Sequence, residues 1–397
     1  MNEAIKDLVL LQELSCADSS KIAIAQLNAP KTLNGLSLDM TRILARQLEQ
    51  WALDASVAVV ILKGAGDKAF CAGGDLHSLH HSMMENASGK PEDNHYAATF
   101  FAEEYALDYR IHTYPKPILV WGDGIVMGGG MGLMMGASHR VVTETTRMAM
   151  PEISIGLFPD VGGTWLLNRL PGHAGLFLGL TGAQLHASDA LFAGMADYHV
   201  LREKWTVLLS ALTAKSWKPI SENIDKSLSD QAQAALSFNH AQLDSILDSV
   251  ATEPMDSVGP LQKHLSLIRK LCSSSELEKT VNNILSLSEH QDPWLQRAAK
   301  TLAQGSPGSA RLTFALLQHN KLLSLAEVYR VEWVAGLMAA AHGDFAEGIR
   351  ALLIDKDKQP KWSPSTLSQA DEKWVQKFFT LPFPADQHPL YRLGESQ

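Results

Sequence analysis

Two carboxylates, Glu152 and Asp160, stand in the apolar stretch MAMPEISIGLFPD, unusual company for a solvated surface acid. Burial raises a carboxyl pKa toward the range useful for general acid–base chemistry, so either could serve as base or nucleophile. The plainer alternative is a helix cap or a buried ion pair with Arg140, Arg147 or Arg169. Two glycine turns precede them, Ala72-Gly73-Gly74-Asp75 and Gly128-Gly129-Gly130. Glycine lets backbone N–H groups come close to a ligand, and two such turns can aim amides at one oxygen, as in an oxyanion hole. Tight strand-to-helix packing would ask for the same glycines with no ligand involved.

Other reactive types are weaker candidates. Glu103 and Glu104 are adjacent in FFAEEYAL, so on a helix only one faces a pocket and the other is solvated. His77, His80 and His81 have a spacing that could bind metal, but no acid joins them in pattern, and a solvated loop explains them better. Cys71 reads as a small packing residue, since no histidine follows it in triad style. Gly122-Asp123-Gly124, with Glu144 after the next strand, partly mimics a dinucleotide fingerprint. The third glycine falls one residue late, and three consecutive glycines have no role in cradling a pyrophosphate.

The elements that must position these residues are α/β in character. KIAIAQLN (21–28) alternates as a strand does, and Ser37 caps a helix with Met40, Ile43, Leu44, Leu48 and Trp51 at helical spacing. VAVVIL (57–62) has the continuous apolar character of a strand buried on both faces. Ile118–Trp121, the glycine turn, a helical pattern over Met131–Gly136 and a further apolar run repeat the theme. Between the two units, the polar run from His77 to Ala97 reads as a mobile loop over a site. Helical spacing resumes at Phe100 and stops before Pro115. Past about residue 185 strand signals vanish. The remainder is helical, with breaks near Pro219 and Pro254, a restart at 305–317 and a Lys-rich turn at 354–364. The expected divisions are a core over 1–205, a helical insertion over 206–300 and a C-terminal helical region over 301–397.

A chain of 397 residues, 46% hydrophobic and 19% charged, is ordinary for a globular protein. Its net charge of −9 argues against general attraction to nucleic acid or anionic lipid. Three distant cysteines indicate neither a disulfide framework nor a zinc cluster, which fits a reducing compartment. MNEAIKDLVLLQEL resembles neither a signal peptide nor an Arg-rich transit peptide, and no apolar run approaches membrane-spanning length. The expected location is cytoplasmic, with no membrane partner.

LNGLSLDM (33–40), KAFCAGGDL (68–76), PKPILVWGDGIVMGGGMGL (115–133) and MPEISIGLFPDVGG (150–163) together resemble the enoyl-CoA hydratase/isomerase (crotonase) superfamily. The resemblance implies a crotonase-like spiral of ββα units with a C-terminal helical region. It also implies an acyl-CoA substrate whose thioester carbonyl is held by the N–H groups of Gly74 and Gly129. Hydratases of this superfamily position water with two glutamates. The first of those positions is Gly132 here and the second is Glu152, so a typical hydratase is not expected. Asp160 in FPDVGG, Glu104 in FFAEEYAL, and the stretch GDFAEGIRALLIDKDKQPKW (343–362) look like the 3-hydroxyisobutyryl-CoA hydrolase branch. That likeness implies a thioester hydrolase of valine degradation, with Glu152 as nucleophile or general base. Asp160 would orient the substrate hydroxyl or a water, and Glu104 would bind the acyl portion. It implies no metal or redox cofactor, CoA being part of the substrate. Lys31, Lys68 and Lys356 are candidates for the CoA phosphates. Superfamily members commonly form trimers, so a homo-oligomer is possible. An enoyl-CoA hydratase or isomerase on the same fold, and a non-catalytic acyl-CoA-binding protein, are the alternatives.

Overall fold

A computed structural model describes residues 7–220, 229–254 and 258–395. Strands β1 (Val9–Ser15) and β2 (Lys21–Leu27) form an antiparallel pair at one edge, and helix α1 (Leu38–Leu53) follows. Ser37 caps α1, its side chain accepting from Met40 N, and Met40, Leu44, Leu48 and Trp51 face inward at helical spacing. The chain then winds in repeated steps. β3 (Val57–Gly64) lies in one sheet and β4 (Ala69–Cys71) in another, followed by α2 (Leu76–Glu85) and α3 (His95–His112). β5 (Ile118–Gly122) and β6 (Ile125–Met127) repeat that division and lead into α4 (Gly129–Met135). β7 (His139–Val142) and β8 (Arg147–Ala149) repeat it again before α5 (Gly163–Leu167). The result is a six-stranded sheet in the order β1-β2-β3-β5-β7-β9, with β9 at Tyr198–His199, and a three-stranded parallel sheet β4-β6-β8. This is the expected spiral of ββα units.

β3 explains why VAVVIL carries no polar residue. It lies between β2 and β5 in parallel register, and Val57–Leu62 are all buried. Ile22, Ile24, Val59, Ile61 and Leu119 point outward into a layer made by α6 (Trp205–Thr213) and α7 (Asp230–Val250), through Leu208, Leu212, Leu243 and Leu247. The inner face packs on a larger core that includes α8 (Pro293–Gln304), α9 (Pro307–His319), α10 (Leu325–Ala341) and α11 (Asp344–Ile349). Residues 206–300 therefore split between two layers, the first two helices covering the outer sheet face.

Three expectations need correction. The polar run after Asp75 is helix up to Glu85 and again from His95, and only residues 86–94 between are turn and a short 3-10 segment. Asp75 caps α2 by accepting from Ser78 N, and Leu79, Ser82 and Met83 are buried, which makes that face a packing surface. β1 has no counterpart in the sequence reading, because as an edge strand it leaves Leu10 and Leu11 outward. β9 is only two residues long, too short to register as periodicity. The break near Pro254 falls between α7 and the helix Pro260–Leu271, and the break near Pro219 borders 221–228, outside the described residues.

Candidate active site

The two glycine turns meet. Leu36 N donates to Gly73 O at 2.8 Å and Leu36 O accepts from Asp75 N at 2.9 Å. In a parallel bridge of this kind the middle residue's own N–H points the other way, so Gly74 N faces α4. Gly129 is the first residue of α4, and its amide has no intrahelical partner. A methyl group placed on Gly129 would stand 3.5 Å from Gly74 N. The two amides therefore open on one small space, at the positive end of a short helix.

Glu152 reaches the same turn. It opens a 3-10 turn, Glu152–Ile155, directly after β8, and a methyl on Gly128 would lie 3.6 Å from its Oε1. Gly128 has φ +48° and ψ −124°, backbone that a side chain at this crowded position would not adopt. Burial pushes the Glu152 carboxyl well above the usual range, and the nearby Asp160 charge adds to it. Its Oε2 is buried with no hydrogen-bond partner.

Helix α3 lies alongside α4 in register. A methyl on Gly129 would overlap Oε1 of Glu104, and one on Gly132 would overlap the Asp108 carboxylate, 2.8 Å from its Cγ. A methyl on Gly136 would come 3.0 Å from His112 N. Glycines at 129, 132 and 136 thus allow α3 to press its acidic face against α4. Glu104 and Asp108 are both buried, and desolvation raises both carboxyl pKa values well above ordinary. Glu104 Oε1 and both Asp108 oxygens lack partners. Glu103 points out and pairs with Arg42 through two bonds of 2.7 and 2.8 Å, so the two adjacent glutamates divide as their spacing predicts.

Asp160 completes the group. Its Oδ2 accepts from the Tyr105 hydroxyl at 2.8 Å, and burial raises its carboxyl pKa against that hydrogen bond. Val161 and Gly162 follow in left-handed backbone, φ +52° and +79°. For a β-branched residue that is a strained conformation, and the surroundings hold it. Gly162 N donates to Glu332 Oε2 at 2.7 Å, Thr164 N to Glu332 Oε1 at 3.0 Å, and Tyr329 OH reaches Val161 O at 3.4 Å.

The structure thus brings together Gly74, Gly129, Glu104, Glu152 and Asp160. Among the described residues no arginine forms an ion pair with them: Arg140 pairs with Asp197 at 2.6 Å, and Arg169 lies over the Trp165 ring at 3.6 Å. Sequence reasoning missed Tyr105, Asp108 and Glu332. Tyr105 and Asp108 sit one and four residues after Glu104 on the same helix, and that spacing was the available signal for Asp108. Glu332 is far along the chain and gave none. The dinucleotide reading fails, because Asp123 accepts from Thr143, Thr145 and Arg202, and Glu144 accepts from Arg202 N. Cys71 is buried and its thiol is pushed up to about 12 by desolvation, as a packing residue would be. Among the described residues no cluster of His, Cys, Asp or Glu could hold a metal ion, the three histidines included. A cavity of about 320 Å³ touches this group at Gly132 and Val161 and is also lined by Gly162, Trp165, Arg169 and Tyr329. Neither Gly74, Gly129 nor Glu152 lines it.

A ββα spiral with two converging backbone amides and a facing glutamate defines an acyl-CoA site of the crotonase kind. The chain belongs to the enoyl-CoA hydratase/isomerase family, whose model matches residues 22–379. It is similar to 3-hydroxyisobutyryl-CoA hydrolase, mitochondrial, of Danio rerio, 39% identical over 362 residues that cover 91% of this chain and 87% of that protein. The protein of the same name from Xenopus tropicalis is 38% identical over 383 residues, 96% of this chain and 90% of the relative. Among solved structures, a carnitinyl-CoA dehydratase from Mycobacterium thermoresistibile superposes with a TM-score of 0.79 at 33% identity. That match covers 96% of this chain and 98% of the other. No helix among the described residues is long and apolar enough to cross a membrane.

Proposed function

We propose that the protein hydrolyses an acyl-CoA thioester, with 3-hydroxyisobutyryl-CoA as substrate and 3-hydroxyisobutyrate and CoA as products, a step of valine degradation. The observation that carries this is the convergence of Gly74 N and Gly129 N on a space that Glu152 also faces. The thioester oxygen accepts from both amides, which stabilise the negative charge of the tetrahedral centre. Glu152 either attacks the carbonyl carbon, expelling CoA thiolate and leaving a mixed anhydride that water cleaves, or takes a proton from attacking water. Asp160 orients the water or the substrate hydroxyl, and Glu104, beside Gly129, binds the acyl portion. Lys31, Lys68 and Lys356 are exposed and available to the CoA phosphates.

Thiol release from 3-hydroxyisobutyryl-CoA tests the activity, and Glu152→Gln tests the assignment. Normal turnover by that variant would remove Glu152 from the mechanism. Label found in the Glu152 carboxyl after single-turnover hydrolysis in ¹⁸O-labelled water would establish the anhydride route with water attacking the Glu152 carbonyl carbon, whereas attack at the acyl carbon labels only the product, as the general-base route does. The reaction as written needs no metal or redox group, and dialysis against a chelator should leave the rate unchanged. We place the protein in the cytoplasm, supported by three free, buried cysteines. Its vertebrate relatives are named as mitochondrial, and cell fractionation decides between the two. Assembly into a homo-oligomer is tested by light scattering.

A second reading has one specific support. Asp108 lies against Gly132, where hydratases of the superfamily carry a glutamate, so a second acid is present. A hydratase or isomerase would change enoyl absorbance without releasing thiol, and thiol release excludes both it and a non-catalytic binder.

A further inference from the structure

Gly132 and Asp108 form a matched pair. The glycine leaves no room for a side chain, because even a methyl there would overlap the Asp108 carboxylate and press on Val161 Cβ at 2.9 Å. Asp108 therefore occupies the space that an acid at 132 would fill, reaching it from α3 instead of α4. It is fully buried, and neither carboxyl oxygen has a hydrogen-bond partner. Buried polar atoms are seldom left unpaired without a water, an ion, a ligand or a catalytic role to account for them. The neighbouring acid Asp160 already has Tyr105 on Oδ2.

The register of the two helices says what that ligand group is. Glu104 stands over Gly129 and Asp108 over Gly132, one turn deeper. Three residues of helix advance about 4.5 Å along α4, roughly the reach of two carbon–carbon bonds and a C–O bond beyond the thioester carbonyl. If the carbonyl oxygen sits at Gly129 N, a hydroxyl on the third acyl carbon arrives level with Gly132.

We propose that Asp108 is the specificity-determining residue of the acyl end, where its carboxyl hydrogen-bonds a hydroxyl carried by the substrate's acyl chain. This rests on the thioester hydrolase reading above and narrows the substrate class to 3-hydroxyacyl-CoA thioesters. It leaves Asp160 to hold the attacking water. A site built around a hydrogen bond to a substrate hydroxyl rejects the analogue without it, because the buried group then stays unpaired.

The test compares kcat/KM for 3-hydroxyisobutyryl-CoA and for isobutyryl-CoA by thiol release, in the wild type and in Asp108→Leu, Asp108→Ala and Asp108→Asn. Leu and Ala should lower the hydroxyacyl preference by at least ~10-fold, chiefly through loss on the hydroxylated substrate. Asn keeps a donor and an acceptor and should retain most of the preference. Asn is nearly isosteric with Asp and loses only the charge, so its Tm should not fall, and the ratios are compared at a temperature where all the variants are folded. Equal losses on both substrates, or an unchanged ratio, would overturn the assignment while leaving thioester hydrolysis intact. Absence of thiol release by the wild type from either substrate would instead overturn the hydrolase reading, and the role of Asp108 with it.

Discussion

Glu332 accepts a hydrogen bond from the backbone N–H of Thr164 at 3.0 Å and a second from its hydroxyl at 2.5 Å, across 168 positions of sequence. With the bond from Gly162 N, this carboxyl clamps the turn that follows Asp160 and holds Val161 in left-handed backbone. Glu332→Ala removes all three bonds and leaves buried donors unpaired. The expected cost is ~2–5 kcal/mol in a urea unfolding curve, with a fall in kcat as Asp160 loses its position. Glu332→Gln keeps one acceptor oxygen and should recover part of both. Loss of stability with kcat intact would show that the clamp does not serve Asp160.

Stability should fall as pH rises through neutrality. Glu104, Asp108, Glu152, Asp160 and Glu332 are all buried, and desolvation is the leading cause that raises each carboxyl pKa. Glu332 is pushed up to about 8 from an ordinary 4.5. Such a group binds its proton more tightly folded than unfolded, so its contribution is complete below the unfolded pKa and is lost as pH climbs through the folded one. For Glu332 that window runs from about 4.5 to about 8. Asp292 works in the opposite sense, held down to about 2 chiefly by its hydrogen bond from His264, and its window closes below pH 4. A thermal melt series from about pH 5 to pH 8 should therefore lose several degrees. A flat or rising series would show that these acids are solvated.

The fold was legible where a buried strand or an amphipathic helix imposes a period, as in VAVVIL and in the Met40–Trp51 stripe. It was not legible in β1, whose leucines point outward, or in α2, whose polar face looks like a loop until its buried residues are known. The site followed the same division. Gly74, Glu104, Gly129, Glu152 and Asp160 lie in separate stretches, and the resemblance to a known superfamily is what paired them. Asp108 and Glu332 act through packing between helices, and their partners Gly132 and Thr164 are set by three-dimensional register alone.

Glu152 must be ionised to attack the carbonyl or to accept a proton from water. Its carboxyl pKa is raised first by burial and then by the Asp160 charge. The rate should thus increase with pH through a midpoint above the ordinary glutamate range, measured as kcat under saturating substrate. Asp160→Asn removes the larger of the two charges, Asp160 and Glu332, that add to burial in raising that pKa, so the same limb should move to lower pH even if the plateau drops. A limb that stays in place would separate the two carboxyls electrostatically. Glu152→Gln should lower kcat by ~10²–10⁴ with its melting temperature retained, because a neutral side chain suits this buried position.

Gly129→Ala is the sharpest probe of the amide pair. The added methyl would collide with Glu104 Oε1 and stand 3.5 Å from Gly74 N, inside the space assigned to the thioester oxygen. Loss of one oxyanion donor costs ~10²–10³ in kcat, so the variant should lose at least that much. The collision with Glu104 complicates a single substitution, and the double variant Gly129→Ala with Glu104→Gly relieves it. If the amides hold the oxygen, the double variant remains slower than Glu104→Gly alone, because the methyl still fills their common space. A kcat equal to that of Glu104→Gly alone would place the whole effect on the α3–α4 contact and take the oxyanion role away from Gly129.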